Sequence, residues 1–245
     1  MIEFYNASET GKKKLKGNKN LIFLLKKRFL WMNEYIKNKK VVIELGSGNG
    51  LIKHFLGEKI ITSDLYKHKK IDFKIDMNLL IIPKKISKKV DVFILNHCLH
   101  HSKNPYKVIN NLKKNLKKNG FILINEPEIS FTFRIFLKLF NHERWDLNIN
   151  NRNKKNFWYE NNATGRLLFD KLKINSTFRK DFKVIENNLS EFLIFLNSSG
   201  NTVNSPHIKL SYKILEIIDK FDNIIVSLFP SFFALNRRVV LKLKN

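Results

Sequence analysis

The sequence predicts an α/β fold, a mostly parallel sheet with helices on both faces, and three observations predict it. Residues 41–45 are apolar or β-branched with one acid, break into glycines at 46, 48 and 50, and resume at helical spacing over 51–56. That order reads as strand, tight loop and helix. Residues 90–95 are nearly all apolar, as a central parallel strand covered on both faces must be. Further strand-like runs at 59–63, 71–76 and 121–125 are separated by turn-forming or amphipathic segments.

Taken from the start, residues 1–17 are polar and lysine-rich and are expected to form a loose arm. Leu21, Leu24, Leu25, Phe29, Met32 and Ile36 recur at three- and four-residue steps, so 20–39 is expected as an amphipathic helix leading into the first strand. In the loop that follows, glycine permits positive φ and lets a ligand approach bare main chain at a helix start. The dinucleotide pattern G-x-G-x-x-G fails, because Leu51 stands where its third glycine would be. The phosphate-cradling pattern fails too, since no lysine directly follows any of these glycines. A glycine-rich turn after a buried strand is the plainer reading of the same residues.

The second strand ends on Asp64, 20 residues after Glu44, where a ribose needs an acceptor for its two hydroxyls. A turn or helix cap is the local alternative for that acid. Residues 71–76 alternate as a third strand ending on Asp76. Asn104 and Pro105 suit a helix start, Tyr106, Ile109, Leu112 and Leu116 line one face, and Gly120 suits the stop. Residues 121–125, 182–186 and 239–243 complete the set of strands.

Two stretches lie outside this repeat. Residues 127–181 carry Phe131, Phe133, Phe136, Phe140, Trp145, Phe157 and Trp158, and are expected as a substrate cap between the fifth and sixth strands. Core packing of the individual aromatics is the alternative. A helix is expected over 208–221, and the run 224–235, interrupted by Pro230, is the most apolar of the chain. It suits the lip of an acceptor pocket, an interfacial helix on a membrane surface, or packing against the sheet.

Composition narrows the classes. The chain carries one cysteine, Cys98, which excludes a disulfide framework and a cysteine-based metal site and suits a reducing cytoplasm. The N-terminal residues lack the layout of a secretory signal, and no apolar window is long enough to span a membrane. The net charge of +25 would suit nucleic acid or an anionic surface, but lysine is spread along the chain with frequent Asn and Ile, which reads as compositional bias and solvated faces.

With Glu44 two residues ahead of the first glycine, E-L-G-S-G-N-G resembles the first motif of the class I S-adenosylmethionine (SAM) dependent methyltransferases. The block from Asp91 to Pro127, including N-H-C-L-H-H-S-K-N-P, resembles the fourth strand, following helix and fifth strand of small-molecule, methyltransferase type 11-like members of that class. The resemblance covers roughly residues 40–127. It implies a Rossmann-like, seven-stranded, mostly parallel sheet whose last strand is antiparallel, with SAM as cofactor. It implies cofactor contacts at Glu44, Gly46, Ser47, Gly48 and Gly50, at Asp64 and Leu65 near the ribose, at Asp76 and Met77 near the adenine, and at Asn96. The expected division is 1–39 arm and helix, 40–126 cofactor-binding core, 127–181 cap, and 182–245 completion of the sheet.

Catalytic candidates are fewer. His97 and Asn96 stand where the resemblance places the methionine part of the cofactor, and an imidazole there could lift a proton from an acceptor hydroxyl. His101 and Glu126 are the further candidates. His100 and His101 also suit packing at the helix start, and the histidine cluster lacks a convincing zinc pattern, so no metal is expected. The acceptor is expected to be a small molecule, sugar or lipid-linked glycan. An RNA acceptor on the basic surface is second, and a non-catalytic scaffold is third. The expected location is cytoplasmic, with peripheral placement on the inner membrane surface as the alternative.

Overall fold

The structure is a computed structural model and describes residues 15, 17–84, 86, 89–140, 143–170, 178–199 and 205–244. The N-terminal arm expected over 1–17 lies almost wholly outside the described residues. Seven strands form one sheet in the order β3-β2-β1-β4-β5-β7-β6. They are β1 (Val42–Leu45), β2 (Ile61–Asp64), β3 (Phe73–Lys74), β4 (Val90–Asn96), β5 (Leu116–Pro127), β6 (Phe182–Ser190) and β7 (Asn236–Leu243). All neighbours are parallel except β7, which runs antiparallel to both β5 and β6. This is the Rossmann-like sheet expected from the sequence.

Strand alternation sorts the core into two layers. Ile43, Leu45, Phe93, Leu95, Ile122, Ile124, Val239 and Leu241 face one side, where they meet Val108, Ile109 and Leu112 of the helix α4 (Pro105–Asn115). Val42, Val92, Ile94, Leu123 and Val240 face the other, against Leu21, Leu25 and Phe29 of α1 (Lys19–Leu30), Met32, Ile36 of α2 (Asn33–Ile36), and Ile52 and Leu56 of α3 (Ile52–Leu56). The helix expected over 20–39 is thus broken after Leu30 into α1 and α2. Both pieces still bury the predicted apolar positions.

Three expected boundaries are corrected. The third strand is two residues long rather than six, because its acids take local partners. Asp72 accepts from the Thr62 N–H at 2.8 Å, and Asp76 accepts from the Asn78 N–H at 2.8 Å in the turn that follows. The helix before β5 ends at Asn115, ahead of the expected stop at Gly120. Gly120 lies in β5, where a Cβ would stand 2.9 Å from the Lys117 carbonyl oxygen and 3.0 Å from that of Asp91, so its role is close approach. The sixth strand runs on to Ser190, with a bulge between Val184 and Glu186.

Between β5 and β6 lie α5 (Phe131–Leu139) and α6 (Thr164–Phe169). Phe133, Phe157 and Trp158 are buried in the main core, and Tyr106 meets Trp158 edge-on with ring centroids 5.5 Å apart. Behind β6 come α7 (Leu193–Leu196), α8 (Tyr212–Leu228) and α9 (Pro230–Phe233). The apolar run after residue 224 therefore divides between the end of α8, α9 and the start of β7. Among the described residues, no helix is long and apolar enough to cross a membrane.

α6 is pinned to the end of β5 by charge and by contact. Buried Glu128 accepts from Arg166 Nε at 2.6 Å and from Arg237 Nε at 2.7 Å. At Gly165, a Cβ would fall 2.8 Å from the Pro127 carbonyl oxygen and 3.1 Å from the Glu126 Cβ. Backbone cannot yield there as a flexible side chain would, so Gly165→Ala should destabilise the fold by about 1–3 kcal/mol, read as a lower denaturation midpoint at unchanged slope. An unaltered midpoint would show that α6 shifts freely against β5.

Candidate functional site

The glycine loop leaves β1 with positive φ at all three glycines, 65° at Gly46, 52° at Gly48 and 68° at Gly50. Each has a different reason. A Cβ on Gly46 would stand 2.6 Å from the Cys98 Cβ and 3.6 Å from the Met77 Cε, so the loop lies directly on the turn after β4 and on Met77. A Cβ on Gly50 would press on Lys70, whereas one on Gly48 would meet nothing within 4 Å. Gly48 presents bare main chain to open space, the cradle a cofactor needs. Its carbonyl is met by His68 Nε2 at 2.7 Å.

The acids expected at the cofactor site gather around this loop. Asp64 at the tip of β2 accepts from the Gly48 N–H at 2.8 Å and from the Tyr66 N–H at 3.3 Å. Glu44 is buried, and its Oε2 has no hydrogen-bond partner among the described residues. Burial, reinforced by the charge of Asp64 and opposed by a Ser47 hydrogen bond, pushes its carboxyl up to about 8. Ser47 turns inward, its Oγ accepting from the Ser63 N–H at 3.1 Å, which locks β1 to β2. Asp76 caps its turn, and Leu65 is half exposed on the outer rim. The structure thus brings Glu44, the three glycines, Ser47, Asp64 and Met77 together, with Asp76 and Leu65 at the margin.

Past β4 the chain makes a tight turn. His97 takes φ of 51°, and its N–H donates to the Asn125 carbonyl at 2.8 Å. The next residues wrap around Glu126 at the end of β5, whose carboxylate accepts from the N–H groups of Cys98 at 3.0 Å, Leu99 at 2.8 Å and His100 at 3.2 Å. His100 Nδ1 adds a fourth contact at 2.7 Å. Burial disfavours the His100 charge, but Glu126 and Glu143 outweigh it and raise the imidazole to about 10. Glu126, a candidate base from sequence, is therefore fully engaged as an anchor for the turn. His101 stands half exposed with Nε2 3.7 Å from Glu143 Oε1, and burial with the neighbouring His100 lowers its pKa.

Ligand atoms of His100, His101 and Glu143 all lie within 4.8 Å of one another, the one such group among the described residues. Within it the His100 imidazolium lies between the carboxylates of Glu126 and Glu143, a charge-assisted arrangement. Cys98 is buried with Sγ 3.2 Å from the Leu45 carbonyl, and burial with nearby carboxylates drives its thiol far above the ordinary range. It packs under Gly46 as a neutral group.

Next to Asn125, whose carbonyl accepts from the His97 N–H, opens a cavity of about 600 Å³ between α1, α8 and the β5, β7 and β6 strands. A polar row crosses the sheet toward it, since Asn96 pairs in register with Asn125, Asn125 with Arg238, and Arg238 with Asn188. Asn125 Nδ2 donates to Asn96 Oδ1 at 3.1 Å and to the Arg28 carbonyl at 2.9 Å. Asn125, Asn187, Asn188, Ser190, Asn223 and Asn236 furnish amide and hydroxyl groups to the wall. Its cations are paired: Arg28 with Glu191 at 2.6 Å, Arg238 with Glu186 at 3.1 Å, and Lys27 with Asp219. No described residue of the expected cap, 127–181, lines this cavity.

Four buried polar atoms without a partner among the described residues follow the strand order β1, β4, β5, β7: Glu44 Oε2, His97 Nε2, Asn125 Oδ1 and Asn236 Oδ1. Burial and the nearby Arg28 hold His97 well below the ordinary imidazole range. Asn236 acts in the opposite direction, without reaching hydrogen-bond geometry. Sequence reasoning found Glu44, Asn96 and His97. It missed Asn125 and Asn236, each visible only as an amide beside an apolar strand, and Asn187 and Asn188, because asparagine argues against a strand.

A sheet of this order, with a glycine loop after its first strand and acids in its first two, defines a class I SAM-dependent methyltransferase. The family model described as "Methyltransferase domain" matches residues 17–186, and the chain belongs to that family. No curated protein matches the sequence. Among solved structures, a SAM-dependent methyltransferase from Archaeoglobus fulgidus is 16% identical, with 89% of this chain and 93% of that chain covered at a TM-score of 0.53. The methyltransferase partner of the Trm112 methyltransferase activator from Haloferax volcanii is 12% identical, with 100% and 97% covered at a TM-score of 0.50. The cofactor is S-adenosyl-L-methionine.

The state of Glu44 is open to a direct check. Between the ordinary carboxyl value of 4.5 and about 8 the folded chain keeps a proton that the unfolded chain has released, so the cofactor-free protein loses stability as pH rises through that window. His100 adds a loss of the same sign, between 6.5 and about 10. In scanning calorimetry, Glu44→Gln should flatten the lower part of this slope, and above about pH 7 should melt higher than the parent. An identical slope in both proteins would mean that Glu44 is ionised when folded.

Proposed function

We propose that this methyltransferase acts on a small hydroxyl-bearing acceptor, a sugar or the glycan part of a lipid-linked molecule, bound in the cavity beside His97. The observation that carries the reading is the line of unpartnered buried atoms from Glu44 to Asn236, which runs from the glycine loop into a wall of amides and hydroxyls. Amide groups offer a donor and an acceptor side by side, which suits neighbouring hydroxyls. The cations there are already paired with acids, so the wall suits a neutral acceptor better than a phosphate backbone. The charge of +25 by itself favours RNA no further.

In this reading Glu44 faces the ammonium end of the cofactor, Asp64 the ribose, Met77 and Asp76 the adenine, and Gly48 the chain between them. Bound SAM supplies an activated methyl carbon. The chain holds the acceptor oxygen in line, keeps water out, and removes a proton. His97 takes that proton at Nε2, because it is neutral, buried and unpartnered. Glu126 and His100 position the turn from which His97 projects.

Isothermal titration with SAM and S-adenosylhomocysteine should give saturable binding, and Asp64→Ala should weaken it by about tenfold or more, the loss of a charge-assisted pair of hydrogen bonds. Unchanged affinity would remove the ribose assignment. With a sugar acceptor found by labelled-methyl screening, His97→Gln should lower kcat by about 10²-fold with SAM affinity intact. The parent profile should stay flat on the acid side through the ordinary histidine range, because His97 is already neutral there. A full-rate His97→Gln enzyme would show that the acceptor needs no base.

A further inference from the structure

α8 has two apolar stripes where a helix resting on a domain needs one. Leu215 and Val226, with Asp222, form the buried stripe. The Asp222 carboxylate accepts from the N–H groups of Phe192, Leu193 and Ile194 at 3.0 Å each, which fixes the helix against α7. The second stripe is Ile214, Ile217, Phe221, Ile224 and Leu228, all exposed, with Ile217 at 65% and Leu228 at 62%. At 3.6 residues per turn these five fall within an arc of roughly 80°. Among the described residues nothing covers them.

The stripe continues beyond the helix. Phe229 and Phe232 of the next turn are half exposed, and Phe232 meets Phe131 with ring centroids 5.9 Å apart. Phe131 opens the outer face of α5, which also exposes Ile135 and Leu139, the last at 75%. Three helices thus share one apolar face of a breadth that folded monomers seldom leave open. Lysines edge it: Lys213 and Lys220 are exposed on the flank of α8 next to the stripe, and Lys138 is exposed on α5 between Ile135 and Leu139. By helical spacing, the exposed acid Glu216 lies on the far side of those lysines.

We propose that this α8–α9–α5 face docks on the surface of a bilayer containing anionic phospholipid. Aromatic and aliphatic side chains in one plane, with lysines whose stems can lie along the apolar surface and whose ammoniums reach the headgroups, are what an interfacial helix requires. Charge decides between occupants. A second copy on the same face would bring Lys138, Lys213 and Lys220 against their symmetry mates in a chain of net charge +25. An anionic leaflet neutralises them instead.

The flank of α8 beyond those lysines gives the docking a direction. Asp219, Asn223 and Ser227 line the cavity, as does Pro230 of α9. β7 begins three residues after α9, and its Asn236 pairs with Pro127 at the carboxyl end of β5. Docking through the outer stripe sets the cavity beside the membrane. The inference stands whichever acceptor is methylated.

The test is flotation of the full chain with vesicles of phosphatidylglycerol and phosphatidylcholine in equal parts, and with vesicles of phosphatidylcholine alone. The parent should float with the anionic vesicles, more weakly as salt rises, and poorly with the neutral ones. Ile217→Ser, Leu228→Ser and Phe232→Ser together change only exposed positions. They should lower anionic vesicle affinity by about tenfold or more, with an unchanged circular dichroism spectrum and SAM affinity. The proposal is overturned if the triple variant floats as well as the parent, since lysines elsewhere would then suffice. It is equally overturned if the parent fails to float, whether sedimentation equilibrium finds it monomeric or finds a dimer that the triple variant abolishes.

Discussion

The site depends on one buried anion. Glu126 lies near the carboxyl end of β5 with no exposure, and a carboxylate in that position must be met by donors or be expelled. Three consecutive backbone N–H groups and the His100 imidazole supply them. The turn after β4 is thereby wound around a fixed point. Cys98 is pressed under Gly46, and His97 is left in a left-handed conformation. The glycine loop and the cavity wall at Asn125 are joined through that turn.

Charge is arranged differently inside and outside. Within the fold, the described cations near the site are matched with acids, as Arg28 with Glu191 and Arg237 with Glu128. What stays unmatched there is Glu44 on the cofactor side, which burial keeps protonated until a positive group arrives. The surface carries the excess lysine that gives the chain its net charge. A uniform basic composition therefore says little about the acceptor and more about the surroundings in which the molecule sits.

α8 joins these two regions. Its inner stripe is fixed through Asp222, one flank walls the cavity, and its outer stripe is open. A sequence period of 3.6 registers only that the helix is strongly apolar on more than one side. Which stripe is covered depends on where α1, α7 and β6 come to lie.

The cofactor half of the molecule was legible in the sequence because its determinants are local. A strand, a glycine loop and an acid at the next strand tip are consecutive along the chain, so the resemblance could single out Glu44, Gly46, Gly48, Gly50 and Asp64 as expected cofactor contacts. The seven-stranded, mostly parallel sheet with its antiparallel last strand followed from the resemblance, and the continuous apolar run of β4 foretold its burial. The cavity needed the tertiary structure, because its wall comes from α1, β5, β6, α8 and β7, which are remote in sequence. The Asn187-Asn188 segment reads as a turn until β7 pairs with it, and aromatic density between β5 and β6 reads as a cap until packing places Phe157 and Trp158 in the core. Backbone conformation and binary pattern are written residue by residue, whereas cavity lining and the exposure of an apolar face are decided only when distant elements pack.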